Sequence, residues 1–179
     1  MTAKLNPAPH DLARGRFIEI YGGIYEHSSW VAEAVFDAGL DAEDADPAHL
    51  ARRMAAAVAD GGIDRQMALL RAHPELAGKL AVAGELTADS TAEQFSAGLD
   101  QCTPEEFDAF RDLNHRYGSK FGHPFIIAVR GLDRRAILQA FRQRISNTPE
   151  DEFATALNEV HKIAGLRLMQ LAESSNEMT

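Results

Sequence analysis

Three side chains in this sequence stand where proton transfer and anion binding could be done: His73, Glu93 and Arg167. His73 directly precedes Pro74 at the close of a helical pattern, and a helix C-terminus favours the protonated imidazole. That draws its pKa toward neutrality and suits a group trading protons at physiological pH. The same position equally suits a histidine that caps the last carbonyls of its helix. Glu93 is the third residue after Ser90, so Ser90-Thr91-Ala92-Glu93 has the form of a capping box that accounts for the carboxylate without any chemistry. On a helical wheel Glu93 also lies nearly opposite Phe95, the direction expected for solvent. Arg167 falls about 60° from the centre of the last helix's apolar stripe. From there its guanidinium could reach an anion in a pocket or simply snorkel to the surface.

Other chemistries find no residues to carry them. Among seven histidines (His10, His27, His49, His73, His115, His123 and His161) none is paired in a metal motif, so no metal is expected. Cys102 is the single cysteine and has no obvious base partner, which points to an idle thiol in a reducing compartment. There is no G-x-S-x-G, no phosphate-cradling glycine loop and no dinucleotide fingerprint, and nothing requires a bound nucleotide. A net charge of −9 without clustered Lys and Arg argues against nucleic acid. No apolar run is long enough for a membrane span and none reads as a signal peptide, so the cytoplasm is the expected location.

The elements that must position these groups are helical. With 179 residues and a hydrophobic fraction of 45%, the chain fits one globular domain. Residues 1–12 read as a loose arm, 13–173 as one helical domain and 174–179 as a tail. A helical pattern from Arg14 to about Phe36 breaks at Gly22-Gly23, with Ser28 or Ser29 as a candidate cap. Asp46-Pro47 opens a helix carrying Leu50, Met54 and Val58, stopped by Gly61-Gly62. Asp64 starts another that ends near His73-Pro74, where a residue before proline leaves the helical region. After Ser90, Phe95 and Leu99 follow one turn apart. Thr103-Pro104-Glu105-Glu106 is a second capping box, leading Phe107, Phe110 and Tyr117 along one face. Asp133 to Ile145 carries Ile137, Leu138 and Phe141. Thr148-Pro149 opens a last helix with the stripe Phe153, Leu157, Val160, Ala164, Leu168 and Leu171.

One stretch departs from the helical pattern. Between Gly122 and Gly131, the apolar run Phe125-Ile126-Ile127-Ala128-Val129 reads as a short buried extended segment near residues 124–130. A lone strand has no ladder partner, so its buried N–H and C=O groups must be matched otherwise. Helix ends, side chains or water could do so, or the run could be a short buried helix. Alternatively, the backbone groups meet a polar ligand.

Three ordered stretches bring these features together. His73-Pro74-Glu75-Leu76-Ala77-Gly78-Lys79, then Ser90-x-x-Glu93-Gln94, then Lys120-Phe121-Gly122-His123-Pro124-Phe125-Ile126-Ile127 resemble one family in order and spacing. It is the 2-oxo-4-hydroxy-4-carboxy-5-ureidoimidazoline (OHCU) decarboxylases, which form (S)-allantoin in urate degradation. Phe17 to Trp30 is similar to that family's opening helix and Arg167-Leu168 to its closing one, so the resemblance runs from about Phe17 to about Leu171.

The resemblance implies an all-α fold, a homodimer, and a carboxy-lyase without metal or organic cofactor. It implies that His73 is the catalytic histidine and Glu93 the essential carboxylate beside it. It further implies substrate contacts from Pro74, Ser90 and Gln94, from the backbone of Phe125, Ile126, Ile127, Ala128 and Val129, and from Arg167 near the substrate's anionic end. For His123 it implies no role. Two other classes compete: a non-catalytic helical module that binds a ureide or purine-like metabolite, and a hydrolase acting on a ureido group.

Overall fold

The structure, a computed structural model, describes residues 3–77 and 87–177. Its elements are α1 (Arg14–Tyr21), α2 (Trp30–Asp37), α3 (Pro47–Asp60), α4 (Gly62–Arg71), α5 (Ala88–Ser96), α6 (Pro104–Phe121), α7 (Arg134–Arg144) and α8 (Pro149–Glu177), with three short 3-10 turns. Among the described residues there is no strand, so the fold is all-α as expected. Gly78 and Lys79 of the first motif lie outside the described residues.

The chain forms two compact units. One comprises the residues up to Ala72 together with those from His161 onward, and the other runs from His73 to Val160. In the first unit the apolar faces of α1 to α4 meet, burying Phe17, Tyr21, Val31, Val35, Leu50, Met54, Val58, Leu69 and Leu70. Asp46 caps α3 as its sequence indicates, accepting from Ala48 N at 2.8 Å with Pro47 in the first turn. α4 begins at Gly62 rather than Asp64. Gly61 is required by contact, since a Cβ there would come within 2.7 Å of the Trp30 ring. Ser29 precedes α2 without capping it and instead donates to Glu33 at 3.0 Å. Within the segment expected as a loose arm, Leu5 is buried and its N–H donates to Ala45 O at 2.9 Å.

The second unit is organised around α6. Thr103 and Glu106 form the expected reciprocal capping box, with Thr103 Oγ1 accepting from Glu106 N and Glu106 Oε2 accepting from Thr103 N. Phe110, Leu113, Asn114, Tyr117 and Phe121 make its buried face, whereas Phe107 is 36% exposed and lies at the rim. This face packs with Ile137, Leu138 and Phe141 of α7 in one apolar cluster, which also takes in Leu76, Ala77, Phe125 and Val129. Phe125 stacks on Phe141 at 3.9 Å, and Tyr117 meets Phe125 edge-on at 5.4 Å. Full burial of each such ring is worth about 1.5–3 kcal/mol.

Periodicity misplaces the inner face of the last helix. Val160, Ala164 and Leu168 are buried as expected, but Phe153, Leu157 and Leu171 are only half-buried. The face actually covered also includes Glu152, Ala156, Glu159, Ile163 and Arg167, a line displaced about one residue from the apolar stripe. α8 also continues to Glu177, through the first part of the expected tail.

In the first unit, the phenol of Tyr25 and Nδ1 of His161 are 2.8 Å apart. Burial keeps the His161 pKa below its usual 6.5. In the unfolded chain this imidazole takes up its proton near pH 6.5, whereas the fold resists protonation until a lower pH. Between those two values the unfolded state binds more protons, so this group makes stability fall as pH drops below 6.5. Thermal unfolding of His161→Gln should therefore lose less midpoint than the parent between pH 7 and about pH 5. Parallel curves for the two proteins would contradict this reading.

Candidate functional site

α5 carries the decisive departure from the sequence pattern. Its N-cap is Thr87, whose side chain accepts from Ser90 N at 3.3 Å, so the capping box expected at Ser90 does not form. Ser90 lies inside the helix and is 5% exposed, whereas Phe95 is 64% exposed. The covered face is thus Ser90, Gln94 and Ala97, with Glu93 half-buried beside them. Helical spacing of three and four places Ser90, Glu93 and Gln94 on that same side. The two features that assigned Glu93 to solvent, the box and the direction of Phe95, both fall away. A short helix that turns its phenylalanine outward and its Ser, Glu and Gln inward is arranged for polar chemistry.

The inner face of α5 meets the turn that follows His73. His73 is 8% exposed and follows Ala72, the C-terminal cap of α4, as the sequence indicates. Beyond Pro74, Gln94 Oε1 accepts from Ala77 N at 3.1 Å, and Gln94 Nε2 donates to Glu75 O at 3.4 Å. From α6, Asn114 Nδ2 donates to Leu76 O at 3.0 Å. Asn114 Oδ1 is buried without a partner. Ala77 has a φ of 49°, left-handed for a residue with a Cβ, and the two amide side chains hold the turn against that strain. Gln94, expected to touch substrate, thus also braces the backbone behind the histidine.

The segment 124–129 is neither helix nor paired strand, and charged side chains supply the hydrogen bonds of Ile126 O and Ala128 N. Arg144 Nη1 donates to Ile126 O at 2.7 Å, and Ala128 N donates to Glu159 Oε2 at 2.8 Å. His123 Nδ1 lies 2.9 Å from Pro124 O, which gives that histidine a local structural place. Leu132 N closes the turn on Val129 O at 2.9 Å. Arg144 also lies over the Phe125 ring at 4.5 Å. It is fixed by Glu152, whose Oε1 accepts from Arg144 Nε at 2.9 Å and whose Oε2 accepts from Asn147 Nδ2 at 2.8 Å. The Tyr117 hydroxyl donates to the same carboxylate. Burial, and then that hydrogen bond, push the Tyr117 pKa well above its ordinary value, so the phenol stays a neutral donor.

Within the second unit, the turn after His73 is hydrogen-bonded to α5 through Gln94 and to α6 through Asn114, and its Leu76 and Ala77 share one apolar cluster with Ala97, Phe125 and Val129. Arg167 lies in the other unit on α8, 6% exposed, with Nη1 2.9 Å from Glu26 Oε2. Its Nη1 also reaches the Ile24 carbonyl at 3.4 Å. Sequence reasoning missed Asn114, Arg144, Glu152 and Glu159. The available signal was the spacing of Glu152 and Glu159 by seven on a helix, beside an apolar stripe. Among the described residues, only Asp41, Glu43 and His49 of the first unit lie close enough to share a cation. Asp41 already accepts from Glu43 N at 2.8 Å to cap a 3-10 turn.

Comparison with known proteins adds an independent line. A family model described as OHCU decarboxylase matches residues 10–169. The chain is 41% identical over 160 residues to the 2-oxo-4-hydroxy-4-carboxy-5-ureidoimidazoline decarboxylase of Halalkalicoccus jeotgali, covering 87% of this chain and 85% of that protein. A crystal structure of (S)-allantoin synthase is similar with a TM-score of 0.71 at 33% identity, covering 91% of this chain and 52% of that one. A structure of OHCU decarboxylase in the presence of (S)-allantoin has a TM-score of 0.67, covering 84% of this chain and 95% of that one; at 21% identity it bears on the fold alone.

Replacing Gln94 by Leu leaves the Ala77 N–H buried without its acceptor, a loss of about 1–3 kcal/mol. The urea midpoint should fall accordingly, and the Ala77 amide should exchange faster with solvent. An unchanged midpoint would mean that Gln94 serves the ligand alone.

Proposed function

The chain belongs to the OHCU decarboxylase family, and we propose that it converts 2-oxo-4-hydroxy-4-carboxy-5-ureidoimidazoline to (S)-allantoin and CO2. The observation that carries this reading from the structure is the inward polar face of α5 against the turn that follows His73. Gln94 has the turn to brace, but neither an ordinary surface helix nor an apolar core needs Ser90 turned inward with Glu93 alongside it.

The substrate holds a carboxylate and a hydroxyl on one ring carbon, next to a C=N bond. When the bond to the carboxylate breaks, its electron pair moves into the ring and the C=N nitrogen becomes the anion, leaving an enediol-like species and CO2. The hydroxyl proton departs as the carbonyl forms, the ureido-bearing carbon gains a proton, and the nitrogen is neutralised by one from water. The net change is uptake of one proton and loss of CO2. The ring is its own electron sink, so no pyridoxal or thiamine group is called for.

The protein's tasks are then to orient the carboxylate, to exchange protons and to deliver one to a single face. His73 exchanges the proton with the hydroxyl or the reacting carbon. Glu93 hydrogen-bonds the hydroxyl or the imidazole and fixes its orientation. Pro74, Ser90 and Gln94 flank the ring, and the backbone of Phe125 to Val129 reads the ureido and ring edges. Arg167 holds an anionic group, with Glu26 fixing its guanidinium. Following the resemblance, we also propose a homodimer, and separately a cytoplasmic location; no described helix is long and apolar enough to cross a membrane.

The test generates the ureidoimidazoline in situ from urate and follows circular dichroism together with CO2. Faster appearance of optically active allantoin is expected. Slow racemic product with saturable binding would instead identify a binding module, and release of ammonia or urea a hydrolase. His73→Ala and Glu93→Ala should each lower turnover by about 10²–10⁴-fold while leaving the thermal midpoint near the parent's. Near-normal turnover in either variant removes that residue from the chemistry.

A further inference from the structure

Glu159 and Arg144 have no place in the chemistry above, yet each turns a charged group, buried in Glu159 and half-buried in Arg144, onto backbone. Glu159 is 9% exposed and accepts the Ala128 N–H, while Arg144 donates to the Ile126 carbonyl. Ile126 and Ala128 are two residues apart. In extended chain such residues direct their backbone groups to one edge, and the residue between directs its own to the other. The edge shared by Ile126 and Ala128 is therefore occupied from α7 and α8. Ile127 presents the opposite edge, and among the described residues neither its N–H nor its C=O makes a hydrogen bond. Ile127 is also less buried than Phe125 or Ile126.

We infer that Glu159 is a positioning residue for substrate binding, fixing the Ala128 amide so that the Ile127 peptide edge faces the ligand. Arg144 does the same for Ile126. Because it is locked to the Phe125 ring and to Glu152, which Tyr117 also holds, it ties that edge to the core of the unit. The arrangement replaces a missing neighbouring strand with two charged side chains, one accepting and one donating. A ligand with adjacent N–H and C=O groups, as a ureide has, matches the edge that remains. The inference rests on the proposed role of residues 125–129 in reading the substrate.

Glu159 tests this better than Arg144, whose loss would strand the buried Glu152 carboxylate and could unfold the chain. Glu159→Gln retains an oxygen that can accept from Ala128 N, whereas Glu159→Met does not. Steady-state kinetics on the in situ substrate should show KM raised about tenfold in Glu159→Met with kcat within about twofold of the parent. Glu159→Gln should restore KM to near the parent's value. Calorimetry with (S)-allantoin should show the same order of affinities, independently of turnover. A lowered thermal midpoint with unchanged KM and allantoin affinity in Glu159→Met would reduce the residue to a structural brace and overturn the inference. Equal impairment of both variants would overturn it as well. A parent protein that does not accelerate the reaction at all sinks the decarboxylase reading itself, whereas an active parent with an indifferent Glu159→Met sinks only this inference.

Discussion

Buried backbone that is neither helical nor paired in a sheet must find its hydrogen bonds among side chains, and the second unit of this protein is built around that constraint. Two stretches impose it: the turn at residues 75–77 and the segment at 124–129. Each receives side chains from regular elements. Gln94 of α5 and Asn114 of α6 serve the first, and Arg144 of α7 and Glu159 of α8 the second. α6 links the two, since Asn114 binds the turn while Tyr117, three residues on, reaches the carboxylate that fixes Arg144. The helices thus act as a frame for irregular backbone, and that backbone flanks the residues assigned to chemistry.

The same constraint explains why α8 buries charge. Glu152, Glu159 and Arg167 all lie on its covered face, and each is matched: Glu152 with Arg144 and Tyr117, Glu159 with the Ala128 amide, Arg167 with Glu26. An unmatched carboxylate or guanidinium there would cost several kcal/mol. Matched, these groups resist displacement because moving one strands the other. Such a frame holds donors and acceptors in place before a ligand arrives, which is what orientation-dependent decarboxylation asks of a protein.

Much of this was legible from residues alone, because capping chemistry and helical spacing are local. Asp46-Pro47, Thr103 with Glu106, and Gly61-Gly62 mark their boundaries as expected. The run 125–129 stood out as non-helical, and the structure bears that out by giving it side-chain hydrogen bonds in place of a ladder. Faces were harder. Periodicity turns Phe95 inward on α5, and hydrophobicity is the wrong guide where a helix turns polar side chains inward, so Ser90 reads as a cap and Glu93 as surface. The same error shifted the inner face of α8 away from Glu152 and Glu159. Asn114 was illegible for another reason: its partner, the Leu76 carbonyl, is 38 residues away and carries no sequence signal. His73 and Glu93 as a catalytic pair came from the ordered family motifs, since a helix-end histidine and a carboxylate three residues after a serine have ordinary explanations.

The central claim is that the turn after His73, the inner face of α5 and the 125–129 edge receive one ligand. Titrating the isotope-labelled protein with (S)-allantoin and following amide resonances tests it directly. The expected result is saturable shifts at residues 73–77, 90–94 and 125–129, with one shared dissociation constant and with Ile127 among the largest. Shifts confined to other parts of the chain, or separate constants for the three stretches, would contradict the account.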